Sequence, residues 1–272
     1  MKEEYRELYG KSETKEDAFT RLYKVMEILR RECPWDRVQT HESLERDMIE
    51  EAYEAVNAIK KNDMDNLKEE LGDVFLQVVF HSLMAEEENA FDIKDVIDAE
   101  SDKMIGRHPH IFSTENAKTI DKVLEKWENI KSREHGEFTF TDRLKNVPET
   151  LPALMRSEKV QRRAAKAGFD WDSAEGAFEK LGEEIEELKE ACSMGSKSHI
   201  EEEFGDLLFS MVNVARFLNV DPEKSLNECT EKFIDRFEYM EKAAALQHQD
   251  LDSMSLEEMD ELWVEAKNYL KK

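Results

Sequence analysis

The chain has 272 residues, of which 64 are acidic and 39 basic, so its formal net charge is −25. Such a charge repels nucleic-acid backbones and anionic bilayers, and we expect neither nucleic acid nor membrane as a partner. Apolar residues make up 40% of the chain, which is enough for a buried core and excludes a disordered chain.

Helices are predicted along almost the whole chain, because glycine and proline are scarce and strong helix formers dominate. In the first half they cover 16–31, 42–61, 65–88, 92–105 and 120–134. Residues 136–152 interrupt the pattern and contain the only hint of a strand, FTFT at 138–141. Further helices are predicted at 153–167, 174–194, 198–218, 222–246 and 256–270. We therefore expect an all-α fold with an N-terminal module at 1–135, a linker at 136–152 and a C-terminal module at 153–272.

The cysteines are typical of a reduced, cytoplasmic protein, because Cys33, Cys192 and Cys229 form no CxxC pair and no zinc spacing. The N-terminal sequence lacks the apolar segment of a signal peptide. No apolar run approaches the roughly 20 residues of a membrane helix. The predicted location is the cytoplasm.

Short motifs recur in the two halves of the chain. EEAYE at 50–54 matches EEIEE at 183–187, and EELGD at 69–73 matches EEFGD at 202–206, each at an offset of 133 residues. A WD pair, a Lys-x-x-x-Arg pair and W-x-x-x-K also recur in the same order. The order of the matches indicates two tandem copies of one helical module.

Glu184 lies on the apolar stripe of predicted helix 174–194, and Glu51 does the same in the first copy. A carboxylate facing a core is costly unless it is paired, protonated or metal-bound. Glu187 shares this face three residues later, and a short connection to the next helix brings Glu203 and Asp206 opposite.

Four carboxylates at one place repel each other strongly without a cation between them. Ligation by oxygen alone favours Mg²⁺, with Mn²⁺ as the other option. The equivalent first-copy set is Glu51, Glu54, Glu70 and Asp73. The alternative is an ordinary solvated helix face, and the duplication at fixed spacing favours the metal site. A ferritin-like di-iron site is set aside, because no histidine has a glutamate three residues before it.

Two cations lie one helical turn apart in each copy, Lys232 with Arg236 and Lys103 with Arg107. Beside a bound cation such a pair is suited to a polyphosphate. The chain has no P-loop motif and no familiar nucleophile–base spacing. Attack on phosphorus by metal-activated water is the simplest remaining chemistry.

The motif E-E-x-x-E followed by E-x-x-D resembles the signature of the all-α nucleoside triphosphate pyrophosphohydrolases. The chain as a whole resembles the two-domain bacterial MazG proteins through CPWD, RHPHIF, LPALMRSEKVQ, GFDW and both acidic motifs. The resemblance implies a four-helix-bundle core, a homodimer, and Mg²⁺-dependent hydrolysis of NTPs or dNTPs to monophosphates and pyrophosphate. It also implies a broad substrate range and a role in cleansing the nucleotide pool.

The resemblance implies roles for individual residues of the C-terminal copy. Glu183 is the candidate to orient the attacking water. The implied metal ligands are Glu184, Glu187, Glu203 and Asp206. The predicted nucleotide contacts are Lys180, Glu183, Asn213, Lys232, Arg236 and Trp263.

The two copies differ beside their acids. Lys180 and Asn213 correspond to Asp47 and Phe80 at the offset of 133, so an anionic nucleotide favours the second copy. We expect the first copy to be less active, with Lys103 and Arg107 as its phosphate contacts. The open alternatives are a narrow-specificity dUTP- or dCTP-type pyrophosphatase, a phosphoribosyl-ATP hydrolase, a non-catalytic Mg²⁺-dependent nucleotide-binding regulator and a structural scaffold.

Overall fold

The computed structural model describes residues 2–113, 119–134, 136 and 139–270, without the side chains of residues 121, 124, 125, 128, 129, 132 and 133. All regular secondary structure in these ranges is helical, so the predicted all-α class is confirmed. No described helix is long and apolar enough to cross a membrane. The described residues contain twelve α-helices: α1 Lys15–Glu32, α2 Glu45–Lys61, α3 Met64–Glu87, α4 Ile93–Arg107, α5 Pro109–Phe112, α6 Ile120–Glu134, α7 Phe140–Lys145, α8 Ala153–Lys166, α9 Ala174–Met194, α10 Lys197–Phe217, α11 Pro222–Leu246 and α12 Leu256–Tyr269.

Ten of these helices were predicted from the sequence, each to within three residues at either end. The short helices α5 and α7 and the 3-10 helices Glu3–Tyr9, Asp36–Val38 and Leu251–Ser253 were not. Phe138, the first residue of the strand-like FTFT, lies outside the described residues. Thr139 caps α7 instead, in a capping box with Asp142. Local capping therefore outweighs a four-residue β pattern.

The chain divides into two compact units, Met1–Glu128 and Asn129–Lys272. In the N-terminal unit the most extensive helix pair is α2 with α3, and in the C-terminal unit it is α9 with α10. Each pair is joined at a residue in the left-handed conformation, Asn62 (φ 53°) and Gly195 (φ 71°). These residues are also 133 positions apart, so the repeat extends to the turn that makes each helix pair antiparallel.

Each unit has its own apolar cluster. The larger one lies in the N-terminal unit, where α3 packs on α1, and it consists of Met26, Leu44, Val79, Phe80, Leu83 and Met84. The other lies between α11 and α12 and consists of Met240, Ala244 and Leu262.

The predicted apolar stripe of α10 is only partly covered. The pattern predicts that Ile200, Phe204, Leu207, Met211 and Leu218 face inward. This prediction is wrong for Phe204, Met211 and Leu218, which are more than half exposed, whereas Ile200 and Leu207 are half-buried. The buried residues of α10 are Ser210, Val212 and Val214. Helical periodicity finds an apolar stripe but does not identify what covers it.

Candidate metal and nucleotide site

Glu184 is buried in α9, on the same face as Ala177 and Ala191, as its place on the apolar stripe predicts. Its residue exposure is 4%, and no described residue donates a hydrogen bond to its Oε2 atom. A buried carboxylate oxygen without a partner costs roughly 1–3 kcal/mol or more. The unpartnered Oε2 atom makes Glu184 a candidate ligand for a cation.

The α9–α10 pair brings Glu184, Glu187 and Glu203 together, and we call this set the C-terminal acid cluster. One carboxylate oxygen from each residue lies within 4.8 Å of the others. The predicted fourth ligand, Asp206, lies one turn further along α10 and is not part of this group among the described residues. Glu183 is exposed on the adjacent face of α9.

Lys180 is the counter-charge of this cluster. Its Nζ atom lies 2.8 Å from Glu184 Oε1, 3.3 Å from Glu183 Oε2 and 3.9 Å from Glu187 Oε2. The hydrogen bond to Glu184 raises the pKa of Lys180 well above its ordinary value. The attraction of Lys180 lowers the pKa of Glu187, but burial and the charges of Glu184 and Glu203 outweigh it, so the net shift of that pKa is upward.

His199 lies beside the C-terminal acid cluster, and sequence reasoning missed it. Its Nδ1 atom lies 3.4 Å from Glu203 Oε1 and 3.7 Å from Glu202 Oε2. The only signal in the sequence is the four-residue spacing from His199 to Glu203, which puts both on one helix face.

The N-terminal unit has a matching group, Glu51, Glu70 and Asp73, which we call the N-terminal acid cluster. Burial, with the charges of Asp73, Glu54 and Glu70, raises the pKa of Glu51. Burial and the nearby Glu54 likewise raise the pKa of Glu70. Glu54 therefore lies near the cluster without joining the group of ligand atoms.

The predicted phosphate-binding residues also differ between the units. Arg236 lies over the ring of Trp263, with its guanidinium carbon 5.3 Å from the ring centroid, and Arg107 lies 5.2 Å from that of Trp127. Across the described residues, neither Lys232 nor Arg236 forms an ion pair with a carboxylate. Lys103, in contrast, is paired with Glu100.

Trp263 packs against the apolar cluster of α11 and α12, and its ring contacts Phe233 with centroids 5.1 Å apart. It therefore has a clear packing role and holds the guanidinium of Arg236 on one face. Stacking of Trp263 on a base stays a prediction.

A cavity of about 440 Å³ opens between α8, α10 and the GFDW segment of the C-terminal unit, and we call it the aromatic cavity. Its aromatic wall is formed by Phe169, Trp171 and Phe209. Its polar lining consists of Gln161, Asp170, Asn213 and Arg216. Of these residues only Asn213 was predicted as a site residue.

The chain is similar to known proteins over both copies of the duplicated motifs. The model of the MazG nucleotide pyrophosphohydrolase domain matches residues 39–112 and 173–241. The nucleoside triphosphate pyrophosphohydrolase/pyrophosphatase MazG of Thermotoga maritima is 45% identical over 92% of this chain and 95% of its own length. The nucleoside triphosphate pyrophosphohydrolase of Escherichia coli is 40% identical over 91% of this chain and 96% of its own. An uncharacterized protein, YabN of Bacillus subtilis, is 46% identical over 86% of this chain and 48% of its own length.

Proposed function

The chain belongs to the MazG family of nucleotide pyrophosphohydrolases, and on that basis we propose that it is an enzyme that hydrolyses nucleoside triphosphates to monophosphates and pyrophosphate. The reaction takes place at the C-terminal acid cluster. The observation that carries this assignment is the buried Glu184, with an unpartnered Oε2 atom beside Glu187 and Glu203.

The donor set fits a hard divalent cation. All three residues of the cluster offer carboxylate oxygens, and their ligand atoms are close enough to share one ion. Glu184, Glu187 and Glu203 would hold the ion, with Asp206 as the fourth predicted ligand. Mg²⁺ is the expected cofactor, with Mn²⁺ as a substitute. When bound, the cation polarises phosphoryl oxygens and lowers the pKa of water.

The cationic residues bind the polyphosphate. Lys232 and Arg236 are one turn apart on α11 and are not neutralised by described carboxylates, so both charges are available to an anion. Trp263 holds the Arg236 guanidinium in place through its ring face. Glu183, exposed beside the cluster, orients the attacking water at the α-phosphorus.

Lys180 keeps the cluster partly neutral until substrate binds. It lies closest to Glu184 among three neighbouring carboxylates, and a nucleotide phosphate offers it a further anionic partner. The corresponding Asp47 in the N-terminal unit adds negative charge instead. The pairing of Lys103 with Glu100 also reduces the attraction of that unit for phosphate. These differences support the C-terminal copy as the main active one.

The proposal is tested by incubating the enzyme with NTPs and dNTPs in the presence of Mg²⁺ and identifying the products. We expect monophosphate and pyrophosphate, whereas diphosphate and inorganic phosphate would contradict the proposed cleavage site. Glu184→Ala is expected to reduce kcat/KM by a factor of about 100 or more, since it removes a cation ligand.

Glu51→Ala serves as the matched variant in the N-terminal unit and is expected to retain most of the activity. If Glu51→Ala abolishes turnover while Glu184→Ala does not, the assignment of the copies is reversed. A substrate panel also tests the broad range and the role in cleansing the nucleotide pool that we propose.

The assembly is proposed to be a homodimer in the cytoplasm, with nucleotides as its partners. The exposed apolar residues Phe204, Met211 and Leu218 on α10 support a self-association surface. Light scattering coupled to size-exclusion chromatography is expected to give twice the chain mass of 31.9 kDa.

A further inference from the structure

We infer that the aromatic cavity is the nucleobase subsite of the C-terminal site and that Asn213 determines base preference. This inference rests on the proposed function. A volume of about 440 Å³ lies within the range of small-ligand pockets, roughly 300–1,000 Å³. Three aromatic side chains and a few polar groups line it, and this composition suits a planar heteroaromatic ring that also forms hydrogen bonds.

The N-terminal unit fills the equivalent positions with core residues. At the offset of 133, Asn213 and Arg216 correspond to Phe80 and Leu83. These two are 1% and 6% exposed and belong to the larger apolar cluster. Since a filled core is more stable than an open cavity, replacing these residues with polar ones costs stability. Such a cost is typical of binding sites.

A chain of hydrogen bonds fixes the orientation of Asn213. Arg216 donates to Asn213 Oδ1 from Nε at 3.1 Å and from Nη2 at 2.8 Å. Asp170 accepts from both Nη atoms of Arg216, with Nη1 at 2.9 Å from Oδ2. These hydrogen bonds to Arg216 lower the pKa of Asp170, so its carboxylate stays ionised at neutral pH.

The result is a pre-oriented donor in the cavity lining. Because Oδ1 of Asn213 is occupied by Arg216, the Nδ2 amide group is left to donate, and no described residue accepts from it. A base that presents a ring nitrogen or carbonyl oxygen satisfies this donor. Holding the donor in place in advance reduces the entropy cost of binding.

Gln161 connects the two helices that line the cavity. Gln161 is 7% exposed, and its Nε2 donates to the Phe209 carbonyl at 2.8 Å. Its Oε1 atom has no partner among the described residues. The hydrogen bond from Gln161 to Phe209 connects α8 with α10 and helps to hold the aromatic wall at Phe209 in place.

Helix α10 carries both the cavity lining and the predicted cation ligand Asp206. Asp206, Phe209, Asn213 and Arg216 follow one another on α10 at spacings of three and four residues, so they share one helix face. Asp206 and Asn213 are separated by about 10 Å along the helix axis, from the rise per residue. A nucleotide needs such a separation, because its ribose lies between the base and the α-phosphate.

The inference is tested with Asn213→Asp, which keeps an acceptor for Arg216 but replaces the Nδ2 donor with an acceptor. For bases that present an acceptor atom to Asn213, we expect kcat/KM to fall by about 5- to 10-fold, the equivalent of one hydrogen bond. For bases that present an amino group, kcat/KM is expected to be higher than for the first group. Ki for inorganic tripolyphosphate, which has no base, is expected to stay unchanged. Equal loss for ATP, GTP, CTP and UTP would overturn the inference.

A second variant tests the aromatic wall. Phe169→Ala is expected to raise KM for all four nucleotides by about 5-fold or more without changing Ki for tripolyphosphate, since it removes stacking surface. Leu246→Ala is the control, because Leu246 is equally exposed at 84% but lies outside the cavity. Parallel changes in KM and in Ki for tripolyphosphate would overturn the subsite.

The outcome is separable from the proposed function. If no turnover occurs, calorimetric binding of the four α,β-methylene nucleotide analogues with Mg²⁺ gives the same comparison without cleavage. Base-dependent affinities that change in Asn213→Asp then support the subsite even though the hydrolytic proposal has failed. Affinities that are the same in wild type, Asn213→Asp and Phe169→Ala overturn it.

Discussion

At the level of single residues, Glu51 and Glu184 occupy equivalent positions with different electrostatic surroundings. Glu184 has Lys180 at 2.8 Å, whereas Glu51 lies near Asp47, Glu54, Glu70 and Asp73. The same fold position is therefore partly neutralised in one unit and purely acidic in the other. A carboxylate in the second environment favours protonation when no cation is present.

Replacing Glu51 with glutamine is expected to stabilise the cation-free protein at neutral pH. Burial and four neighbouring acids raise the pKa of Glu51 above its ordinary 4.5, so the folded state favours the protonated carboxyl group. The contribution of this proton to the free energy of unfolding is fully present below pH 4.5. It is lost as the pH rises through the raised pKa. We expect Glu51→Gln to raise Tm by a few degrees at pH 7.5 in EDTA and by less at pH 4.

The comparison uses Glu45→Gln, an exposed position on the same helix, as its control. Circular dichroism melts at both pH values provide the measurement. A lower Tm for Glu51→Gln at pH 7.5 would show that Glu51 has a stabilising partner and would contradict this account.

At the level of elements, the helix hairpin is the unit that assembles each acid cluster. Asn62 and Gly195 end α2 and α9 in the left-handed region and reverse the chain direction. Glycine adopts this conformation without strain, and asparagine is the residue that tolerates it next best. The turn therefore fixes which faces of the two helices meet.

Gly195→Ala is expected to destabilise the protein by about 1 kcal/mol, because a Cβ atom is strained at its φ of 71°. Asn62→Gly is the matched change in the other hairpin, and its effect is expected to stay within about 0.5 kcal/mol. Chemical denaturation measures both. Equal losses in the two variants would show that the left-handed conformation is not the determining factor.

The start of α9 also shapes the aromatic cavity. A Cβ atom at Gly176 would lie 3.0 Å from Cε3 and 3.1 Å from Cδ2 of the Trp171 ring. Alanine gains roughly 1 kcal/mol of helix propensity over glycine, so displacement of the ring is the main cost of this change.

Gly176→Ala is therefore expected to raise KM for nucleotides several-fold with a Tm that is unchanged or higher. Steady-state kinetics and thermal melts test both parts. An unchanged KM would show that the position of Trp171 does not matter for substrate binding.

At the level of the whole molecule, the net charge of −25 is a general source of repulsion. Salt screens repulsion between exposed charges at all positions, whereas a divalent cation in an acid cluster also binds a specific site. The two effects are separable because only the second depends on the residues of the clusters.

MgCl₂ is expected to raise Tm more than NaCl at equal ionic strength. Binding at a concentration 100 times Kd stabilises the folded state by about 2.7 kcal/mol. The double variant Glu51→Ala, Glu184→Ala is expected to retain the response to NaCl and to lose the additional effect of Mg²⁺. Scanning calorimetry in both salts makes the measurement, and an unchanged Mg²⁺ effect in the double variant would exclude the clusters as the binding sites.

The amino-acid sequence by itself determined the helical class, the ten longer helices, the duplication and the place of Glu184 on a buried stripe. These features depend on helix propensity and on the 3.6-residue spacing of apolar residues, and both are present in the sequence without any knowledge of packing. The sequence also allowed the acids of α9 and α10 to be assigned to one site, because the short connection between these helices makes them antiparallel.

Only the tertiary structure decided which acids group together and that Lys180 contacts Glu184 at 2.8 Å. It also decided that Phe204, Met211 and Leu218 of the predicted α10 stripe are more than half exposed. It alone connected Asp170 to Asn213 through Arg216, across more than forty residues of sequence. The physical reason is that side-chain distances between separate helices depend on how the helices pack, and hydrophobic periodicity does not specify packing.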